Sequence, residues 1–339
     1  MIFGIESHEI LMFFRQAGLA IAGAASFWGL MLLIDNRKRH HWKENKDASA
    51  QLMLLFFGAG LVYFSAWALL AMNLCAFCAD AHEGLSKAET IDGVRLALQN
   101  QFSFMLSLGL VWAFGLGALV FARKMILDNL KWLFGISFVI ITFIMLFPWA
   151  GSSSFRDAIA GGLHSWHSIF TVGTVVTVDF LYLSFRFRGL NFLDPLFSKM
   201  NKFIWMGLGI DFISAGFVFH EVFDATEKFF FMQTVVAIVI INGVILSGPI
   251  ARKVLRVREK TLEKRGWGLN LYTISAICGS ISLASWFTIT LVDGFRSLTL
   301  SYAELFLFYG LSIALVFAGH EIMERYIIRA PKAVYGQNK

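Results

Sequence analysis

Two histidines lie three residues apart in the stretch GGLHSWHSIF, and a third ends the next apolar stretch. His164 and His167 share one face, because residues three apart on a helix are neighbours. If the two stretches cross a membrane in opposite directions, His167 and His220 lie at one level, roughly 6 to 8 Å inside the outer boundary. Two imidazoles at one depth on facing helices are typical axial ligands of b-type haem. The spacing therefore predicts a haem site at His167 and His220, with His164 beside it.

The same histidines also fit two roles without haem. An imidazole ring costs little free energy near a membrane boundary, where Trp166 would anchor the helix beside it, so these side chains could be interfacial only. A set of histidines and carboxylates could instead hold zinc, copper or non-haem iron. The further candidates on that side are His8, Glu9, Glu221 and Asp224. Covalent c-type haem is excluded, because its C-x-x-C-H motif requires a histidine where Ala79 follows Cys78.

A second group of candidate ligands lies between two apolar stretches on the outer side. Its members are Met72, Cys75, Cys78 and His82. Thioether, thiolate and imidazole groups together suit Cu(I). Two cysteines three apart on the oxidising side of a bacterial membrane could equally form a disulfide or a redox-active pair. The sequence leaves a copper site, a disulfide and a redox pair open, and Cys278 is expected to be an ordinary buried side chain.

Ionisable side chains also lie deeper in the apolar stretches. Asp179 and Asp211 are expected in the inner half of their helices, and His320 near the inner end of the last one. An unpaired charge is expensive at this depth, so such groups are candidates for function. A proton path would use His220 with Glu221, then Asp211, Asp179 and His320. The alternative is a set of separate hydrogen bonds that hold the helices together.

These side chains must be positioned by membrane helices. The 339 residues are 57% hydrophobic and 15% charged, with a mean hydropathy of +0.66, outside the range of soluble domains. About 20 apolar residues form a helix that crosses a bilayer. The stretches of sufficient length are 9–34, 51–79, 102–122, 127–149, 163–185, 203–223, 229–250, 268–292 and 302–324. The sequence thus predicts an all-α, polytopic membrane bundle of about nine helices.

Basic residues predict the orientation of this bundle. Lys and Arg near helix ends are retained on the cytoplasmic side. Of the 29 Lys and Arg residues, 23 lie in alternate loops and the C-terminal tail, and five lie in the loops between them. The N-terminus is therefore expected outside a bacterial inner membrane and the C-terminus in the cytoplasm. The net charge of +6 follows from this topology and from anionic lipid, so nucleic-acid binding is not expected.

Small residues recur at a constant offset in two of the stretches. Gly58, Gly60, Ser65 and Ala66 are followed 149 residues later by Gly207, Gly209, Ser214 and Ala215. The pattern predicts a 4+4+1 internal duplication, although four matches in a glycine-rich membrane sequence can also arise by chance. The expected domains are 1–149, with an outer insertion at 75–101, then 150–292, and finally 293–339 with the ninth helix.

Two of the stretches resemble helices of a known family. LHSWHSIFTVGTVVTVDFLYL is similar to the first helix of bacterial four-helix membrane proteins of the copper-resistance D and membrane protoporphyrinogen-oxidase type. FMQTVVAIVIINGVILSGPIARKVL resembles their helix that ends in a glycine and a basic stop. The resemblance implies a haem-b-associated redox role, with His167 at the matching histidine position. Gln233 stands where the oxidase type has a lysine, which argues against that enzyme's chemistry.

Three classes of function remain. The leading expectation is a membrane electron-transfer protein with b-type haem, working with other redox subunits or a quinone. The second is a carrier for a metal ion, with copper as one candidate, or for a proton-coupled solute. The third is a non-catalytic subunit of a larger membrane complex. No P-loop, dinucleotide-binding turn or H-E-x-x-H zinc motif is present in the sequence, and whether the chain is an enzyme stays open.

Overall fold

The structure is a computed structural model, and its described part is entirely helical. The described residues are 7–36, 46–82, 123–147, 154–188, 194–218, 226–246, 271–295 and 298–322. The helices are α1 (Ser7–Asn36), α2 (Lys46–His82), α3 (Arg123–Leu146), α4 (Phe155–Arg188), α5 (Asp194–Val218), α6 (Glu227–Ile245), α7 (Leu271–Gly294) and α8 (Tyr302–Ile322). Each of them overlaps one of the predicted apolar stretches. The stretch 102–122 lies outside the described residues, so the number nine and the duplication stay predictions.

Four of the described helices are long and apolar enough to cross a membrane. They are His8–Ile34, Ala50–Leu69, Glu227–Ile245 and Tyr302–Ile322. Large apolar side chains on α8, such as Leu307 and Leu315, are exposed, as expected for a helix face in contact with lipid. The chain is therefore a helical membrane protein.

Contacts divide the chain into two compact units. The first comprises Met1–Thr177 and Phe203–Glu221, and the second comprises Val178–Lys202 and Val222–Lys339. The division thus separates the two ends of α4 and of α5. This division is based on contacts between residues, and it does not test the predicted domains at 1–149, 150–292 and 293–339.

Close approach of small residues holds the first unit together. A Cβ atom on Gly58 would lie 2.5 Å from the backbone nitrogen of Ala22, and one on Gly18 would lie 2.7 Å from the carbonyl oxygen of Gly58. On α4, a Cβ atom on Gly173 would collide with the carbonyl oxygen of Ala20. Apolar surface gains little by leaving lipid, so close backbone packing of this kind replaces the hydrophobic effect between membrane helices.

Aromatic rings and two indole hydrogen bonds fill the space around α4. The ring of Phe170 is fully buried, and its centroid lies 4.6 Å from that of Trp166. Trp28 Nε1 of α1 donates to Thr174 Oγ1 over 2.9 Å, and Trp166 Nε1 donates to Thr142 Oγ1 of α3 over 3.2 Å. These bonds satisfy the polar ends of two large rings and fix α4 against both neighbours.

In the second unit, α6, α7 and α8 pack against one another. Their shared core consists of Phe231, Val235, Ala284, Val292, Leu305 and Tyr309. Asn242 Nδ2 of α6 donates to the carbonyl oxygen of Cys278 on α7 over 2.8 Å. Ser301 and Glu304 form a capping box that starts α8, since Glu304 Oε2 accepts from Ser301 N at 2.8 Å. Hydrogen bonds inside and between the helices thus stabilise this unit.

Candidate functional site: a polar cluster between two helices

The candidate site lies where α4 and α5 face each other in the first unit. Three contacts set the register of the two helices: His164 with Ser214, Ser168 with Asp211, and Thr171 with Gly207. Residue numbers rise along α4 as they fall along α5, so the helices are antiparallel. Steps of three or four residues keep the members of each helix on one face. A Cβ atom on Gly207 would collide with Thr171 Oγ1, so glycine allows the close approach that brings the polar side chains together.

Four side chains form the cluster. His164 Nδ1 lies 3.0 Å from Ser214 Oγ and 4.0 Å from Asp211 Oδ1. Ser168 Oγ donates to Asp211 Oδ1 over 3.0 Å. Ser214 Oγ donates to the backbone carbonyl oxygen of Asp211 over 3.2 Å. Because that bond uses the single Ser214 proton, the His164 tautomer that fits carries its proton on Nδ1 and donates it to Ser214.

The cluster can bind and release protons. Imidazole and carboxyl groups both exchange protons. A carboxylate beside a neutral imidazole carries one negative charge, and binding of one proton makes this pair neutral overall. A pair of this kind avoids the cost of an unpaired charge within a membrane bundle. The side chains of His164 and Asp211 are 26% and 19% exposed, so the described helices do not seal the pair.

This arrangement corrects the expected depth of Asp211. The sequence placed His164 at the outer boundary and Asp211 in the inner half of its helix, yet their side chains are 4.0 Å apart. The prediction aligned the ends of the apolar stretches 163–185 and 203–223. The helices extend beyond those stretches, from Phe155 and from Asp194, and the small residue at Gly207 sets their register.

His167 occupies a different environment from His164. Its side chain is buried at 6% exposure, with ring centroids 4.8 Å from Trp166 and 6.4 Å from Phe203. Its Nδ1 atom has no hydrogen-bond partner among the described residues. His220, the expected partner across a haem, lies outside the described residues, as does Glu221.

The remaining predicted site residues are scattered or not described. Met72 is exposed on α2, and this helix continues through Cys75 and Cys78 to its end at His82. The side chains of Cys75, Cys78 and His82 are not among those that the structure describes. No group of three metal-binding side chains occurs within the described ranges.

Two acidic or basic candidates lie elsewhere on the described helices. Asp179 is partly buried on α4, and its Oδ2 atom has no hydrogen-bond partner in the described part of the chain. His320 is partly buried near the end of α8. Neither belongs to the polar cluster.

Ser168 and Ser214 could not be recognised as site residues from the sequence. The available signal was their spacing, since Ser168 follows His164 by four residues and Ser214 follows Asp211 by three. In the sequence, Ser214 stands out only as part of the internal repeat. Serine is common on membrane helices, so the signal becomes specific only when the facing helix supplies a partner.

Comparison of the chain with protein-family models, with curated proteins and with solved structures gave no match.

Proposed function

We propose that this chain is a proton-translocating membrane carrier, in which His164 and Asp211 bind the proton. The single observation that supports the proposal is the 4.0 Å separation of His164 Nδ1 and Asp211 Oδ1 between two packed helices. Ionisable residues inside a membrane bundle commonly mark proton relays. The pair places a proton donor beside a proton acceptor. If a solute moves together with the proton, the chain is a proton-coupled carrier.

Each member of the cluster has a distinct role in this proposal. Asp211 holds the negative charge, and Ser168 stabilises it by donating to Oδ1. His164 takes up the proton and becomes the counter-charge of Asp211. Ser214 orients the imidazole through its contact with Nδ1. Entry of one further proton gives the pair a positive charge, and its departure restores neutrality.

The proposed cellular setting follows from the charged loops. We place the chain in a bacterial inner membrane with its N-terminus outside, because 23 of its 29 Lys and Arg residues then lie in the cytoplasm. Asp179 and His320 are the proposed continuation of the proton path, together with His220 and Glu221.

Purified protein in liposomes tests the proposal. A potassium gradient with valinomycin imposes a membrane potential, and a pH-sensitive dye inside the vesicles reports proton entry. We expect wild-type protein to carry protons faster than protein-free vesicles, and Asp211→Asn and His164→Gln to lose that rate. Ser65→Ala is the matched control, since Ser65 is a buried serine of the same unit whose hydroxyl donates to the Leu61 and Val62 carbonyls of its own helix. Equal rates for wild-type and protein-free vesicles would contradict the proposal.

A second candidate function is haem-based electron transfer, and the environment of His167 favours it. The His167 imidazole is buried beside aromatic rings, and its Nδ1 atom has no hydrogen-bond partner among the described residues, so this nitrogen could bind a haem iron. His167 and His220 would hold the haem, and the haem would supply one-electron chemistry. His164 and Asp211 would bind a proton at the polar cluster.

Absorption spectra of purified protein, oxidised and then reduced with dithionite, decide this second candidate. A Soret band that is lost in both His167→Ala and His220→Ala supports it. A colourless wild type from cells supplied with haem refutes it. A metal-ion carrier remains a variant of the first proposal, with Cys75, Cys78 and His82 as receptor, and metal analysis after loading with Cu(I) tests it.

A further inference from the structure

The helix α6 presents two opposite faces. Its buried side chains, which face the core of the second unit, are Phe231, Val235, Val239 and Asn242. Five exposed side chains recur on the other face at steps of three and four residues: Phe230, Gln233, Ala237, Ile240 and Val244. With 3.6 residues per turn, the mean directions of the two sets differ by about 180°. We call these five exposed residues the exposed seam of α6.

The exposed seam has the spacing of a helix-pairing surface. Its steps alternate between three and four residues, which gives an average of about 3.5. Two helices with this repeat pack side by side over their length in a left-handed coiled coil, and membrane bundles use the same geometry. From Phe230 to Val244 the seam extends for roughly 21 Å along the helix. It is therefore long enough to contact a second helix through most of a membrane.

One member of the exposed seam is polar. Gln233 lies in the span Glu227–Ile245, which has 19 residues and the length of a bilayer's hydrocarbon core. It follows Glu227 by six residues, or roughly 9 Å along the helix, so lipid chains surround this face at its depth. Lipid offers no hydrogen-bonding group to an amide, and an amide without a partner there is costly. Polar side chains at such positions typically bond to a neighbouring helix.

A second copy of the chain supplies a partner for Gln233 at the correct depth. Copies of one chain insert into a membrane with the same orientation, so a two-fold axis along the membrane normal relates two parallel α6 helices. A residue at such an axis faces its own counterpart at the same level. Glutamine is self-complementary, because the amide of each copy both donates and accepts. The seam is thus complementary to itself in register and in hydrogen bonding.

We propose that the chain forms a homodimer in which the exposed seams of two α6 helices pack as a parallel coiled coil. The two Gln233 amides bond to each other inside this interface, and one polar position of this kind fixes the register and the number of helices. Ala237, one turn along the seam, is small and lets the two backbones approach closely. This surface is separate from the polar cluster of α4 and α5, and the inference does not depend on the proposed function.

Energy transfer between donor-labelled and acceptor-labelled copies in liposomes tests the dimer. Measured over a range of protein-to-lipid ratios, it gives the dissociation constant in the membrane. We expect the wild type to dimerise and Gln233→Leu to weaken the dimer by between about threefold and thirtyfold, the scale of interhelical hydrogen bonds in membranes. Gln233→Asn keeps an amide and should retain more of the affinity than Gln233→Leu.

Thr234→Val is the matched control for this measurement. Thr234 is the neighbouring polar side chain of α6, and its hydroxyl contacts Tyr302 Oη within its own unit over 3.0 Å, so its loss should leave the dimer unchanged. A wild type that stays monomeric at every protein-to-lipid ratio overturns the inference. So does a Gln233→Leu variant that dimerises as well as the wild type, or a Thr234→Val variant that is equally weakened.

Cysteine cross-linking identifies the face that forms the dimer. Ile240 on the seam and Leu315 on α8 are both exposed, and each lies thirteen residues after the first residue of its helix. Their depths match, because Glu227 Oε2 accepts from Tyr302 N and so joins the starts of α6 and α8. Under copper phenanthroline, Ile240→Cys should give cross-linked dimers above the wild-type baseline and Leu315→Cys should not. Equal cross-linking at both positions, or cross-linking at Leu315→Cys alone, overturns the inference.

Discussion

Ser168 Oγ of α4 donates a hydrogen bond of 3.0 Å to Asp211 Oδ1 of α5, four residues from the His164 that faces the same carboxylate. The Ser168 hydroxyl therefore links α4 to the Asp211 carboxylate and fixes the direction in which that carboxylate points. A hydrogen bond to a charged group contributes about 1.5–3 kcal/mol. The relationship makes Ser168 a positioning residue for the proposed proton pair.

Loss of the Ser168 hydroxyl is expected to impair proton flux without abolishing it. Ser168→Ala leaves His164 and Asp211 in place but frees the carboxylate to rotate, so the dye assay should show a lower rate and a shifted dependence on external pH. Ser168→Thr retains the hydroxyl and should restore both. A purely structural role would lower Tm and leave the pH profile unchanged, which is the result that contradicts this prediction.

Gly207 is expected to control the register of the site. Gly207→Ala places a methyl group against Thr171, and overpacking of this kind costs about 1–3 kcal/mol. Tm should fall, and proton flux should fall with it, since the same contact brings Asp211 to Ser168. Gly209→Ala on the same helix is the matched control, because among the described residues nothing lies within 4 Å of a Cβ atom there.

Thr171→Ala should partly rescue Gly207→Ala. The collision involves Thr171 Oγ1, a hydroxyl that has no hydrogen-bond partner among the residues described, so its removal costs no bond. Tm and proton flux of the double variant should lie between those of Gly207→Ala and the wild type. A double variant no better than Gly207→Ala would show that the contact does not set the register.

Gly173→Ala is expected to be more damaging than Gly207→Ala. The new methyl group meets the backbone carbonyl of Ala20, whose carbon would lie 2.6 Å away, and a backbone atom cannot rotate aside as a side chain can. Ala20→Gly therefore should not rescue it. The yield of folded protein on size exclusion and its Tm measure the effect, with Gly135→Ala as control because no described atom lies within 4 Å of its Cβ position. Equal losses for Gly173→Ala and Gly207→Ala would count against this reasoning.

The helices could be predicted because their length and apolar character are local properties. Every described helix overlaps a predicted apolar stretch, since about 20 such residues must form a helix to satisfy their backbone in lipid. The ends of the helices were predicted less accurately. The helix α4 begins at Phe155, while its apolar stretch begins at 163, because the first turns of a helix carry no hydropathy signal when they are polar.

The site could be predicted only in part, because contacts between helices are not local. His164 and Asp211 were both candidates, but the sequence assigned them to different depths. Their meeting depends on a close contact between Thr171 and Gly207, which hydropathy cannot detect. The pairing of His167 with His220 stays a prediction.

A last prediction concerns the second unit, where Ser285 of α7 meets Tyr309 of α8 at 2.7 Å. Ser285 Oγ also donates to the Ile281 carbonyl over 2.6 Å, and its single proton is thereby used, so Tyr309 must donate to Ser285. Ser285→Ala leaves the hydroxyl of Tyr309, a side chain only 2% exposed, without its acceptor, at an expected cost of about 1–3 kcal/mol.

Removing both partners should then cost less than removing Ser285 alone. Tyr309→Phe leaves Ser285 bonded to Ile281 and should lower Tm only slightly, as interhelical bonds in membranes average about 0.6 kcal/mol. In the double variant no hydroxyl is left unpaired, so Tyr309→Phe acts as a suppressor of Ser285→Ala in thermal unfolding. If the double variant were instead less stable than Ser285→Ala, the serine would be the donor to the tyrosine, and the bond to Ile281 would be secondary.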